Sequence, residues 1–538
     1  MDNLAQTLMK RFEAMRTARQ VHEPVWKECF MYTDPVRASG LCGAPMDATA
    51  IAAAISRIMD STAIDAKRTL GAAVQSGMVP ANSLWFLMEV AHESEEEGVW
   101  LEESSKLLWQ NIHNANFDAE AADCLDDCMG GGWFALFVDE DRDAGGLHFE
   151  HWPLAGVYCA SSKPGGPIDI VFRPFCLTLE QAVNAYSRRG DTLPATITER
   201  ATDHPDEKIE FLWAIYPRKV SVHNAVLSRS LPVASVTVSL KDKAVVRNSG
   251  YHEMPVIVAR WKKIPDSSYA TGPVLDALPD IRSVNGIKTL EYANLDMAAA
   301  GMYVAADDGV LNARTIKIGA RKVIVANSVE SIKSIAPSTK FDVVFTACDQ
   351  IQGSIRKILM ADQLQPQDGP AMTATEVHVR VDLIRQLLGP IYGRLQAEWL
   401  QPLIARCFGV AYRAGIFAPP PQSLLDRSFT IQYVSPLARA QKLEEVTAIE
   451  RLYADVSQMA TVDATILDNV DNDEAVRVLA DDLGVPKRII RSADNVKQLR
   501  GDRQAAQLQQ QQQEKAIETQ GVVQQGIGLA AANRALAA

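Results

Sequence analysis

The sequence predicts an α+β, helix-rich fold, and three observations carry that expectation. Apolar residues recur every three or four positions in the first quarter and the last half of the chain. Between about 133 and 260 the period shortens to two, over segments rich in β-branched and aromatic residues. Across 538 residues, 47% are hydrophobic and 22% charged, the balance of a globular protein with a real core. Wholesale disorder is excluded, and the length suggests about three or four structural units.

Residues 1–135 read as mainly helical. Leu4, Leu8, Phe12 and Met15 fall at helical spacing with charges between them. A second helix is expected from about Ala48 through Thr69, then the loop GMVPANSLWF. Acidic residues at Glu93, Glu95, Glu96 and Glu97 precede a further helix near 98–128, and Gly130, Gly131 and Gly132 read as a flexible joint. Strands follow in GLHFEHWPLAGVYCA, DIVFRPF, KIEFLWAIYP, ASVTVSL and MPVIVARW, each bounded by turn residues. One helix interrupts them, with Thr178 as cap and Gln181 completing a capping box.

After Gly272-Pro273, Val274, Leu278, Ile281, Val284, Ile287 and Leu290 define a helix of roughly 25–30 residues. Pro279 is expected to kink it or delay its start. A small β-rich insert, YVAADDGVLNARTIKIGARKVIVAN, turns at Asp308-Gly309. Val344, Cys348, Ile351, Ile355 and Ile358 place a second helix, which stops at Gln365-Pro366-Gln367-Asp368-Gly369-Pro370. Thr373 and Glu376 cap a longer helix with the stripe Val377, Val381, Ile384, Leu388, Ile391, Leu395, Trp399 and Leu403. Gly389-Pro390 should bend it. From about 440 the tail is polar and helical, ending in a Gln-rich stretch.

Charge and motifs narrow the function. With 54 Lys+Arg against 66 Asp+Glu the net charge is −12, a poor general grip on nucleic acid. Eight cysteines are too few for a disulfide scaffold and read as buried free thiols. The N-terminus lacks the apolar stretch of a signal peptide, and no run reaches the ~18 apolar residues of a membrane span. The chain is expected to begin life in a reducing cytoplasm. No G-x-x-x-x-G-K-[ST], H-E-x-x-H or G-x-S-x-G occurs. Asp471, Asp473 and Glu474 open like a calcium loop, but Ala475 and Val476 break it, so they read as an acidic first helical turn. Ser354 and Lys357 match S-x-x-K without companion motifs. We expect no catalytic, cofactor-binding or metal-binding residues and no enzyme activity.

Four blocks resemble the head-to-tail connecting protein family, the portal proteins of short-tailed bacteriophages (podoviruses): DSTAIDAKRTLGAAVQSGMVPANSLWF (60–86), VFRPFCLTLEQAV (171–183), RWKKIPDSSYATGPVLDALPDIRSVN (260–285) and GPAMTATEVHVRVDLIRQLLGPIYGRLQAEWLQPLIAR (369–406). They occur in family order within roughly residues 1–435. The resemblance implies a phage portal fold. It assigns a wing to 1–272, a first stem helix to 273–300, a clip to 301–340 and a second stem helix to 341–362. A channel loop then falls at 363–372, a wing segment with the long kinked helix at 373–440, and a crown or barrel with the Gln-rich tail at 441–538.

The same resemblance implies a ring of about twelve copies at one capsid vertex, with double-stranded DNA passing through it during packaging and ejection. Implied partners are the terminase large subunit, the major capsid and scaffolding proteins, and tail adaptor or nozzle proteins, without a membrane. The protein is expected in the virion, after assembly in the bacterial host cytoplasm. Gln363, Gln365, Gln367 and Asp368 are the expected DNA-facing residues of the channel loop, polar but without a cation. Arg314, Lys317, Arg321 and Lys322 are expected at the clip, for docking or DNA exit; Lys317 and Arg321 would share a strand face. Arg356 and Lys357 on the second stem helix are expected beside phosphates or, at least as readily, paired with acidic residues between subunits. Another ring-forming connector, such as a tail adaptor, and an unrecognised soluble enzyme are the alternatives.

Overall fold

The computed structural model describes residues 2–90, 94–141, 145–186, 191–220, 227–300, 302–305, 332–335, 341–364, 389, 391–424, 430–433, 436–460, 469–483, 485, 489–491 and 495–509. The fold is α+β and helix-rich, as the periodicities require. Two compact units emerge: Met1–Trp85 with Leu107–Phe417, and Phe86–Lys106 with Ala418–Ala538. Two is fewer than length alone suggests, because the N-terminal helices and the middle sheets share their cores.

Within the first unit, five antiparallel strands form a meander in sequence order: Tyr158–Ala160, Ile170–Thr178, Lys208–Pro217, Val233–Ser239 and Ala244–Tyr251. Alternation divides their side chains between two cores. Ile170, Phe172, Leu212, Ala214 and Val236 meet Ala5, Leu8, Phe12 and Met15 of the helix Asp2–Gln20. Val171 and Ile215, one residue out of step, face the other side, where Trp26, Phe30, Trp133 and Trp152 gather. A three-stranded sheet contributes to that second core, with Trp133–Glu140 between Leu147–Trp152 and Val256–Arg260. Thr178 and Gln181 form the expected capping box on the helix Leu179–Ala185.

Several boundaries differ from the sequence expectation. The stretch 48–69 is not one helix: Ala48–Ile55 ends, and Thr62–Met78 begins where Asp60 Oδ1 takes the Thr62 N–H at 2.9 Å. The helix 98–128 is likewise two, Glu95–Asn114 and Phe117–Gly131. Asn116 stands at the break because its amide pairs with the backbone of Phe149 in both directions, at 2.7 and 3.0 Å. A second helix, Ala195–Asp203, follows Pro194 among the strands. Pro279 does not delay its helix, which runs Pro273–Ala300 with the proline inside.

The glycine triplet is a packing contact rather than a flexible joint. Gly130 and Gly131 close their helix against the Phe30 ring: a Cβ on Gly130 would lie 2.4 Å from it. Gly132 turns with φ +86°, and its Cβ would lie 2.1 Å from the Thr271 backbone. Only glycine permits both the left-handed turn and that approach. The thiols also depart from expectation in part, since Cys42 and Cys176 are exposed while the other six are buried.

In the second unit, the segment expected as the end of a loop pairs as a strand: Phe86–Glu89 runs antiparallel to Thr430–Tyr433. Four residues are too few for alternation to register in the sequence. Helices Pro436–Ala460 and Asn472–Leu483 follow, and residues 495–509 are helical, matching the polar tail. Asp471 Oδ1 accepts the N–H groups of Asp473 and Glu474, so these acids form a helix start, as expected.

Candidate functional site

The order helix, β insert, helix read from the periodicity is present where residues are described. Helix Pro273–Ala300 leads into the strand Met302–Ala305, which pairs antiparallel with Ile332–Ile335, Met302 opposite Ile335. The chain then returns through the helix Phe341–Ile358. Ser354 Oγ donates to Asp280 Oδ2 at 2.6 Å. Cys348 lies within electrostatic reach of Lys288 and Glu291. Positions rising along one helix therefore meet positions falling along the other, and the pair is antiparallel. Ser354 is thereby accounted for as a clasp between helices.

The pair is rooted in the N-terminal helices. Val274, Leu278, Ile281 and Val284 pack with Ile355, Leu359, Cys29, Ala63 and Ala66 in one buried cluster. Polar groups fix its height: Asn285 Oδ1 accepts the Met59 N–H at 2.8 Å, and its amide donates to Ile281 O at 3.0 Å. Gln352 donates to Asp60 Oδ2, on the carboxylate that also starts the Thr62–Met78 helix. Lys288 pairs with Glu291 at 3.0 Å, and that hydrogen bond holds the ammonium pKa above its ordinary value.

The sequence-selected residues fall mostly outside the described ones. Arg314, Lys317, Arg321 and Lys322 do, as do Gln365, Gln367 and Asp368; Gln363 lies in the short helix Ala361–Leu364. Arg356 and Lys357 are exposed in the last turn of their helix, where cations complement the helix dipole. They form no ion pair with any described residue. Nor do the described residues contain a group of three or more His, Cys, Asp or Glu that could hold a metal. No helix among them is long and apolar enough to cross a membrane.

From 391 the chain is helical, loosens into a π turn at Gln396–Leu400 and continues as Gln401–Arg413. Leu395, Trp399 and Leu403 are buried, as their spacing predicts. The sequence reading missed Glu398, which takes hydrogen bonds from Arg260 and Lys263. Burial alone would raise its pKa, but those two partners outweigh it and hold the carboxyl below its usual range. Arg394 donates to Trp261 O at 2.6 Å, a second tie to the same strand end. A carboxylate inside an apolar stripe was the available signal.

A profile of the bacteriophage head to tail connecting protein matches residues 5–490. The chain belongs to that family. It is 25% identical over 529 residues to a probable portal protein of Bordetella phage BPP-1, covering 96% of this chain and 93% of that one. It is 24% identical over 472 residues to a portal protein of Salmonella phage epsilon15, covering 84% of each. Among solved structures, a chain in the virion of a native gene transfer agent particle superposes with a TM-score of 0.36 at 11% identity. That superposition covers 78% of this chain and 94% of the other.

Proposed function

We propose that this connector is the portal of a tailed bacteriophage, a non-enzymatic ring that carries DNA into the head and out again. The observation that carries this is the near end-to-end similarity to two phage portal proteins, covering 93% and 84% of their lengths. In this reading Pro273–Ala300 and Phe341–Ile358 are the stem helices, residues 301–340 the clip and 363–372 the channel loop. The Gln401–Arg413 segment ends the kinked wing helix, and the chain after 440 forms the crown.

The ring contains about twelve copies and is assembled in the host cytoplasm with scaffolding and major capsid proteins. The terminase large subunit docks during packaging and supplies the ATP hydrolysis; tail adaptor or nozzle proteins replace it afterwards. A net charge of −12 suits a conduit, because a basic wall would bind phosphates and stall the duplex. Gln363, Gln365, Gln367 and Asp368 touch DNA weakly, and Arg314, Lys317, Arg321 and Lys322 meet the motor, the adaptor or DNA at the exit.

Electron microscopy of the purified protein, with particle mass from the same sample, tests the reading. Closed rings with a hole wide enough for duplex DNA support it. A compact monomer, both alone and with scaffolding protein, overturns it.

A further inference from the structure

The helix Ala48–Ile55 reads ATAIAAAI and holds no charged residue; the nearest are Asp47 and Arg57. Six of its eight residues are exposed and only Ala54 is buried, while Ile55 keeps 51% of its surface. Helices apolar on every side are normally covered. This one is held out deliberately. Asp47 Oδ1 caps it from the Ala50 N–H at 2.7 Å, and beyond it Met59 is tied to Asn285.

A second bare surface lies further along the helix that carries Asn285. Gly286, Leu290, Ala293 and Asp296 follow at intervals of four, three and three, and all are exposed, Leu290 by 66%. Nothing stands within 4 Å of where a Gly286 Cβ would be, so a slender partner can approach the backbone closely. Leu290 lies about 140° around the helix from Asn285, so the stripe is not on the side where Met59 is tied. The charges of the two surfaces are complementary. Arg57 stands two residues past Ile55, Asp296 stands six past Leu290, and neither forms an ion pair with a described residue.

We propose that the Ala48–Ile55 helix of one copy docks on the Gly286–Asp296 stripe of a second copy, with Arg57 against Asp296. Two different surfaces meeting in this way make a heterologous contact, the kind that repeats around an axis and closes a ring. The inference rests on the portal reading and gives it a plug and a socket.

The test uses full-length Ile55→Glu, which spoils the plug, and Leu290→Glu, which spoils the socket, followed by native mass spectrometry and circular dichroism. Both sites are exposed, so each variant should melt like the wild type; Ala52→Glu replaces Ile55→Glu if that one unfolds. An unpaired carboxylate in the contact should raise the concentration for half-assembly at least about tenfold. Mixed in equal amounts, the two variants should give mixed dimers in excess over like pairs, because only the mixed pair keeps one intact contact. Arg57→Asp should weaken assembly, and adding Asp296→Arg to the same chain should restore it.

Rings at unchanged concentration, or no excess of mixed dimers, overturn the docking while leaving the portal reading intact. So does an Ile55→Glu ring that forms normally but no longer binds the major capsid protein, which assigns the helix to that partner. A wild type that never closes into rings overturns both.

Discussion

Arg260 and Glu398 meet through two hydrogen bonds, 2.8 Å and 3.0 Å, with 3% and 10% of their side chains exposed. They tie the edge strand Val256–Arg260 to the π turn, and Lys263 adds a third contact at 2.8 Å. Removing one member of a buried pair leaves the other uncompensated, so Glu398→Gln should cost about 3 kcal/mol. The Glu398 pKa is lowered in the folded state. Its contribution is therefore present above the unfolded value, about 4.3, and is lost as pH falls through the lower folded value. Melting curves of the two proteins should differ at neutral pH and converge in acid; a gap that persists at low pH contradicts this.

Gly132→Ala should be worse than a typical surface change. The new methyl meets the Thr271 backbone, and the left-handed turn adds strain. Together these should cost about 3 kcal/mol or more. Thermal denaturation reads the loss directly, and a wild-type midpoint would refute the close approach.

Thiol labelling of the unassembled protein should modify two cysteines and spare six. Cys176 should react ahead of Cys42, whose thiol pKa is raised by partial burial and by Glu23. Burial pushes Cys29, Cys159 and Cys407 up to about 12, so they should label only after denaturation. Peptide mass spectrometry distinguishes the sites.

Replacing residues 365–369 with a short Gly-Ser linker should leave rings intact but impair DNA packaging. Packaging at the normal level would remove the channel-loop assignment.

Charge reversal at Lys317 and Arg321 should weaken binding of the motor or the tail adaptor without affecting ring formation. Pull-downs with each partner decide it, and unchanged binding to both would end the docking claim.

Long repeats made much of this fold legible. Leu8, Phe12 and Met15 announce a helix on a sheet, and the alternation of Ile170, Val171 and Phe172 assigns each strand face. The helix, β insert and helix could be ordered because every part has its own period. Breaks set by a distant partner were hidden: nothing beside Asn116 in the sequence points to Phe149, 33 residues on. Glu398 stood out within its apolar stripe, but its partner Arg260, 138 positions away, was not legible. Cations and amides of the proposed clip and channel loop were selectable by type, but in a ring their direction would depend on neighbouring subunits, which one chain's periodicity does not encode.

The π turn at Gln396–Leu400 acts as a slack stitch in the helix that carries Glu398. A π turn holds one residue more than an α turn, so deleting Ala397 could tighten it to regular helix at little cost in hydrogen bonds. The extra residue is absorbed within the turn, so the helix on either side would keep its phase, and Leu395 and Leu403 would stay buried. One codon lost or gained there is a change of length without a change of face. Lineages could lengthen or shorten this helix by that route without turning its buried face to solvent.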